Sequence, residues 1–221
     1  MKQKHHKHTA VLLSYVLLSF TLFSGCSDSK PDSPANATEF TSVPEETSTV
    51  IDEETTFLPE GTAYIMEDDT PIYIDDLMAP VNIYNTICTT GNPEGFSSVF
   101  PECIINTIPE AAQCDDIAEY TSYLYELYRQ AYNDEVSMSN DFVSCQLLNQ
   151  SELESFSKFY SENFGEEIMP EYAFIVESTY EIIYNDEEGN EQSDSDTDFF
   201  IAYLYNGCMY LDYFYIDTMD L

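Results

Sequence analysis

The stretch FFIAYLYNGCMYLD, residues 199–212, decides the fold of this chain. Two apolar runs, residues 199–205 and 208–216, flank Asn206 and Gly207. Asn-Gly is the dipeptide most typical of a two-residue β-hairpin, because both residues tolerate the positive φ angles of its tight turn. The sequence therefore predicts that the chain ends in two antiparallel strands.

A long strand is predicted before this hairpin. Apolar residues alternate over residues 172–184, and the alternation is broken only by Ser178. The acidic residues 186–190, with Gly189 among them, predict a turn. We expect the polar run 191–198 to lengthen that connection between strands.

Three earlier segments also favour strands. Residues 136–148 predict one, with less regular alternation in the middle. Residues 64–66 and 72–74 predict two short strands or an extended lead-in to the domain.

Helical periodicity dominates the first half of this region. Pro80 opens a helical pattern that Gly91 ends. A weaker helical pattern covers residues 96–100, and another begins after Pro101.

Two further helices carry capping signals. Asp116 and Glu119 have the spacing of a capping box and precede the longest apolar helical face of the chain. Ser151 and Glu154 predict a second capping box, for a short helix that Gly165 is placed to end.

These elements together predict an α+β domain with helices packed on one face of a curved antiparallel sheet. Their order, together with the closing hairpin, resembles small export lipoproteins of the cystatin-like, nuclear-transport-factor-two-like superfold over residues 75–217. The resemblance implies a sheet that wraps a conical cavity. Members of the superfold use that cavity for ligands or for catalysis, so the fold does not fix the function.

The N-terminus has the pattern of an export signal. Three lysines precede the apolar run 11–23, which is shorter than a membrane span. The stretch LFSGC, residues 22–26, resembles a bacterial lipoprotein signal, in which a small residue precedes a lipidated cysteine. The resemblance implies a signal peptide over residues 1–25 and a palmitate-bearing lipid anchor on Cys26. An ordinary secretory signal with a coincidental cysteine would release the protein instead.

This resemblance implies a location on the extracytoplasmic face of the cell membrane of a Gram-positive bacterium. Residues 26–60 are rich in Ser, Thr, Pro and acidic side chains and lack apolar periodicity. Such a segment cannot bury enough apolar surface to offset its ordering entropy. The sequence therefore predicts a disordered stalk over residues 26–60 that joins the lipid to one domain, residues 61–221.

The net charge of the chain limits the classes of partner that it can bind. The chain carries 42 Asp and Glu against six Lys and Arg, for a formal net charge of −36. Nucleic-acid-binding proteins gain most of their affinity by neutralising phosphates with Lys and Arg, so that class is excluded. The partners expected are the lipid bilayer, through Cys26, and an unidentified protein or small apolar ligand.

Histidine and cysteine limit the chemistry further. All histidines lie within the first eight residues, which excludes histidine-dependent catalysis from the domain. No cofactor is indicated. Apart from Cys26, five cysteines remain, so at least one thiol is unpaired in a monomer and the pairing stays open. These cysteines are Cys88, Cys103, Cys114, Cys145 and Cys208.

Three hypotheses for the function follow. The favoured one is a non-enzymatic binding or interaction module on the cell surface, because Tyr and Phe on a sheet supply contact area at low conformational cost. The alternative is a cavity enzyme with a carboxylate base beside a tyrosine donor. Tyr84, Tyr120 and Asp212 could supply those groups, although their spacing does not distinguish them from core and surface residues.

The third hypothesis is that the protein binds a divalent cation. Asp194, Asp196 and Asp198 alternate like the start of a calcium loop. Phe199 stands where that loop requires Gly, and Tyr205 where it requires Glu, so the strict motif fails. The three aspartates therefore remain weak metal candidates, and a mobile acidic loop is favoured.

Overall fold

The structure is a computed structural model that describes residues 60–132 and 135–219. The expected signal peptide, Cys26 and residues 26–59 of the expected stalk lie outside the described residues. The α+β class, with helices packed against an antiparallel sheet, is confirmed. The elements in chain order are β1 (Thr62–Ile65), β2 (Pro71–Tyr73), α1 (Ile74–Thr90), α2 (Phe96–Val99), α3 (Glu102–Ala112), α4 (Ile117–Tyr132), β3 (Val136–Leu147), α5 (Gln150–Phe164), β4 (Tyr172–Asn185), β5 (Glu191–Tyr205) and β6 (Cys208–Asp212), followed by a 3₁₀ turn (Ile216–Thr218).

Strands β3 to β6 form one antiparallel sheet in the order β3-β4-β5-β6, and β1 pairs with β2 separately. The predicted Asn-Gly hairpin joins β5 to β6. Asn206 has φ 53° and Gly207 has φ 74°, so both turn residues are left-handed as this turn type requires. The register that follows pairs Tyr203 with Tyr210.

The polar run 191–198 is strand, and our prediction of a lengthened connection there was wrong. These residues continue β5 and pair with β4 along its whole length, from Asn185 opposite Glu191 to Tyr172 opposite Leu204. The turn itself is short, because the Asp186 carboxylate accepts hydrogen bonds from the backbone of Glu188 and Asn190. A long apolar partner strand thus overrides a polar local sequence.

Two helix starts also differ from the prediction. Helix α1 begins at Ile74, so Pro80 lies inside it, and the helix ends at Gly91 (φ 67°) as predicted. Helix α5 is capped by Asn149 rather than by Ser151. The Asn149 side chain accepts from the backbone of Glu152, whose carboxylate accepts from the Asn149 N–H at 2.7 Å.

Helices lie against both faces of the sheet, rather than against one face as the sequence predicts. We call the face that carries Asn140, Ser178 and Asp198 the inner face, and the face that carries Ile201, Tyr203, Tyr210 and Asp212 the outer face. Helices α1 and α4 and the β1–β2 pair contact inner-face residues, as in the ring contacts Tyr132–Tyr184 and Tyr64–Phe174. Helix α5 lies against the outer face at β5 and β6, where the Phe156 ring lies 5.0 Å from that of Tyr203.

The core between these layers is strongly aromatic. On the inner side the Tyr84 ring contacts Phe100 at 5.7 Å and Tyr213 at 5.9 Å, and Phe96 packs on Phe100 at 5.0 Å. Within the described residues all five cysteines are free thiols. In the same part of the chain, no helix is long and apolar enough to cross a membrane.

Candidate functional site

A chain of hydrogen-bonded polar side chains crosses the inner face beneath α1. Three adjacent strands each contribute one residue, because Ser178 pairs directly with Asp198 and Asn140 lies on the neighbouring strand β3. Helix α1 adds Asn85 from above, and Tyr213 reaches in from the segment after β6. We call Asn85, Asn140, Ser178, Asp198 and Tyr213 the inner-face network.

The geometry of this network is close and directional. The Asn85 amide donates to Asn140 Oδ1 at 2.8 Å, and the Asn140 amide donates to Ser178 Oγ at 2.8 Å and to Asp198 Oδ2 at 3.2 Å. The Tyr213 hydroxyl donates to the same Asp198 oxygen at 2.8 Å. Asn140 is therefore the hub, with both amide hydrogens and its oxygen in use.

Burial controls the charge of Asp198. Desolvation raises the pKa of this carboxyl above its ordinary 3.8, and the nearby Asp217 carboxylate adds to the rise. The hydrogen bonds from Tyr213 and Asn140 oppose it. A half-buried acid with neutral hydrogen-bond donors can both exchange a proton and receive a positively charged group.

Tyrosines continue the inner face beside this network. The Tyr132 ring lies 5.1 Å from that of Tyr184 at a 58° tilt, and the Tyr132 and Tyr180 hydroxyls are hydrogen-bonded. The Tyr184 hydroxyl lies 3.5 Å from Asp194 Oδ2, the long limit of a hydrogen bond. We call Tyr132, Tyr180, Tyr184 and Asp194 the tyrosine–aspartate corner.

A second buried network lies on the outer face. Asp212, which is fully buried, accepts from the Tyr160 hydroxyl at 2.8 Å and from the backbone of Tyr215 at 2.9 Å and Ile216 at 3.2 Å. Desolvation raises the pKa of this carboxyl to about 6. Because these donors occupy both carboxylate oxygens, Asp212 fixes the turn that follows β6.

The three residues named for the enzyme alternative do not form one site, because Asp212 lies apart from the two tyrosines. Tyr84 and Tyr120 lie close together among the inner helices, where burial raises the pKa of both hydroxyls. Asp212 belongs to the outer-face network with Tyr160. The carboxylate–tyrosine pair on the inner face is instead Asp198 with Tyr213.

The three weak metal candidates lie in β5 on one face, not in a loop. Alternate residues of a strand are roughly 7 Å apart, too far for three carboxylates to share one small cation. Within the described ranges, no group of three or more His, Cys, Asp or Glu side chains could hold a metal ion. The expected mobile acidic loop is likewise wrong, since these residues are paired with β4.

Sequence reasoning missed Asn85, Asn140 and Ser178. Ser178 did give a signal, because it was the one break in the alternation of β4, and it lies fully buried within the network. Asn85 and Asn140 are 55 positions apart, and neither lies in a local motif.

Comparisons with known proteins identify no relative of this chain. No protein-family model, no curated protein and no solved structure matches the chain.

Proposed function

We propose that this protein is a surface-anchored extracytoplasmic lipoprotein that acts as a non-enzymatic binding module, with the half-buried end of the inner face, around Tyr180, Tyr184 and Asp194, as its binding surface. The main observation in support of the proposal is that the fixed inner-face network borders half-buried tyrosines. Rigid aromatic side chains next to oriented polar groups are the usual composition of a ligand site.

The hydrogen bonding and burial of the inner-face network support a role in ligand recognition. Each of its five members is hydrogen-bonded to another member, and Asn85 and Ser178 are buried. Satisfied buried networks hold their side chains in one arrangement. The buried network therefore holds the half-buried residues beside it in one arrangement, which favours a ligand that binds without rearrangement.

The proposed location at the membrane rests on the N-terminal sequence. Lipid on Cys26 would supply two acyl chains, enough for stable anchoring, and residues 27–60 are long enough to hold the domain away from the bilayer. We expect Cys26→Ala to move the protein from the membrane fraction to the medium. Cys208→Ala is the control and should leave it with the membrane. Membrane retention of Cys26→Ala would refute the anchor.

Binding at the inner face is tested by site-specific photocrosslinking on intact cells. A benzophenone side chain replaces Tyr184 at the inner face, or Tyr123 on the exposed surface of α4 as the control. We expect a discrete adduct from the first position and none from the second. Equal adduct patterns from the two positions would contradict a binding surface on the inner face.

A specific observation keeps the enzyme alternative open. Asp198 combines a raised pKa with a tyrosine hydroxyl 2.8 Å away, the pairing of base and donor that a cavity enzyme of this kind needs. If Asp198 were a catalytic base, Asp198→Asn would retain ligand binding and abolish turnover. In the binding proposal, the same variant changes affinity alone.

A further inference from the structure

Strand β3 is an open edge of the sheet within the part of the chain that the structure describes. The strand order β3-β4-β5-β6 gives it one neighbour, and none of its residues is buried. The other edge strand, β6, ends in two fully buried residues, Leu211 and Asp212. A row of unpaired backbone groups on an edge strand is a template for another extended chain.

The hydrogen bonds of the sheet identify the unpaired backbone groups of β3. The Leu148 N–H donates to the Ala173 oxygen, so Ala173 and every second residue after it on β4 face β3. Their partners on β3 are the residues of the outer face, which leaves the backbone groups of the inner-face residues pointing away from the sheet. Before the bulge of β3, these outward-pointing residues are Val136, Met138, Asn140 and Phe142. Within the described ranges, no backbone group from outside the sheet is bonded to them.

The inner-face side chains along this edge are mostly apolar. Val136, Met138 and Phe142 pack against the core but are only half-buried. Their exposure comes from the open edge, because Ile182, opposite Met138 on β4, is 1% exposed. A strand added to the edge would therefore cover them with its own inner-facing side chains, which favours apolar residues at those positions.

The outer face beside the edge is acidic. Asp141 is exposed on β3, and Glu177 and Glu181 flank its partner Thr179 on the same face of β4. No Lys or Arg occurs in β3, β4, β5 or β6. Opposite charges on neighbouring strands stabilise a sheet, so basic outer-facing side chains suit an added strand. A second copy of this chain would instead bring like charges together, since the net charge is −36.

We propose that the β3 edge, residues 136–142, binds an extended segment of a partner protein in which apolar and basic residues alternate. The segment pairs with the backbone of β3, its apolar residues cover Met138 and Phe142, and its basic residues lie beside Asp141. The bulge between Phe142 and Ser144 ends the regular stretch, so the segment is about seven residues long. This partner class rests on the proposed binding function and makes it specific.

The test measures binding of a fluorescein-labelled, end-blocked peptide, KVKVKVK, to the full chain carrying Cys26→Ala, by fluorescence anisotropy at constant ionic strength. We expect saturable binding of one peptide per chain. The peptide KKVVKKV has the same composition without the alternation and should bind about tenfold more weakly, and EVEVEVE should not bind. Equal binding of KVKVKVK and KKVVKKV would reduce the effect to net charge and overturn the proposal.

Backbone pairing is tested with two N-methylated forms of KVKVKVK, one methylated at the valines and the other at the lysines. The two sets of N–H groups point to opposite edges of the peptide strand, so only one set can face β3. We expect one form to lose about tenfold or more in affinity and the other to stay within about threefold of the parent peptide. Equal affinities of the two forms would overturn strand addition.

Two serine variants in one row of the outer face test the location. Ser139 on β3 and Ser195 on β5 both lie opposite Glu181, and both are exposed. Ser139→Lys places a like charge beside the peptide lysines and should weaken KVKVKVK about fivefold, whereas Ser195→Lys, two strands from β3, should weaken it less than about twofold. Circular dichroism checks that both variants are folded. Equal weakening would place the peptide away from the β3 edge and overturn the proposal.

Sedimentation of the same chain tests the other occupant of the edge. A chain that sediments as a dimer and binds no peptide would assign the edge to a second copy and overturn the proposal. A Tyr184 photoadduct with no binding of KVKVKVK would overturn the edge site and leave the proposed binding function standing.

Discussion

Asp212 and Tyr213 are consecutive residues whose side chains enter different networks on opposite faces of the sheet. Asp212 accepts from Tyr160 at 2.8 Å on the outer face, and Tyr213 donates to Asp198 at 2.8 Å on the inner face. One peptide unit at the end of β6 thus joins the buried carboxylate of Asp212 to the half-buried carboxylate of Asp198. The strand end is held from both sides, which ties the inner face to the packing of α5.

The raised pKa of Asp212 predicts that the protein becomes more stable on mild acidification. Its folded pKa is about 6, against an ordinary 3.8, so the folded state binds a proton before the unfolded state does. Stability therefore rises as the pH falls through about 6, and the gain is complete below the unfolded pKa. From pH 7 to pH 5 this group contributes roughly 1 kcal/mol to the free energy of unfolding.

Urea unfolding at the two pH values checks this prediction. Asp212→Asn should lose that part of the increase whatever its absolute stability, whereas the exposed-charge variant Asp141→Asn should keep it. An unchanged increase in Asp212→Asn would assign the pH dependence to other carboxyls.

The Tyr160 hydroxyl should stabilise the ionised Asp212. Tyr160→Phe removes a hydrogen bond to a buried carboxylate, and we expect it to lower the free energy of unfolding by about 2 kcal/mol at pH 7. Tyr203→Phe is a matched control, since that ring is also fully buried but its hydroxyl lies 3.4 Å from the Tyr160 hydroxyl. It should cost less than about 1 kcal/mol.

The Tyr160→Phe deficit should also shrink at pH 5, where Asp212 is protonated. Chemical denaturation of both variants at pH 7 and pH 5 measures this. Equal deficits for the two variants at both pH values would show that the hydroxyl does not act through the charge of Asp212.

Local signals predicted most of the fold. The Asn206-Gly207 turn, the helix ends at Gly91 and Gly165 and the alternating strand β4 each depend on neighbouring residues, and each lies where the sequence places it. The irregular middle of β3 is also explained, because the register shifts between Phe142 and Ser144.

Features that depend on distant parts of the chain escaped prediction. The polar start of β5 becomes strand only because β4 offers a partner for it. The inner-face network joins Asn85 to Asn140, and no local pattern relates two asparagines on a helix and a strand. Likewise, helix α5 has an ordinary apolar face. Its packing on Tyr203 of the outer face, rather than on inner-face residues, depends on the tertiary fold and not on a local pattern.

Gly91 should be less replaceable than Gly207, although both have left-handed backbones (φ 67° and 74°). A Cβ at Gly207 meets nothing within 4 Å, so Gly207→Ala costs only the strain of the backbone, about 1 kcal/mol. A Cβ at Gly91 would lie 3.0 Å from the Cβ of Tyr125 on α4, which adds a steric clash. We expect Gly91→Ala to cost at least about 2 kcal/mol by thermal unfolding. Equal costs would mean that α4 shifts freely away from α1.

The hub position of Asn140 predicts strong coupling with Asn85. Asn140→Ala leaves the Asn85 amide without its acceptor and Asp198 Oδ2 without one of its two donors, and should cost about 2–3 kcal/mol. Asn85→Ala should cost about 1–2 kcal/mol. Because the two substitutions break one shared hydrogen bond, the double variant should be more stable than their sum predicts by about 1 kcal/mol.

Urea denaturation at pH 7 of the two single variants and the double variant measures this coupling. Asn82→Ala, an exposed amide on the same helix, is the control and should change stability by less than about 0.5 kcal/mol. Additive effects at Asn85 and Asn140 would contradict their hydrogen bond. The fixed inner face would then lose its support, and with it the main argument that this surface is preorganised for a ligand.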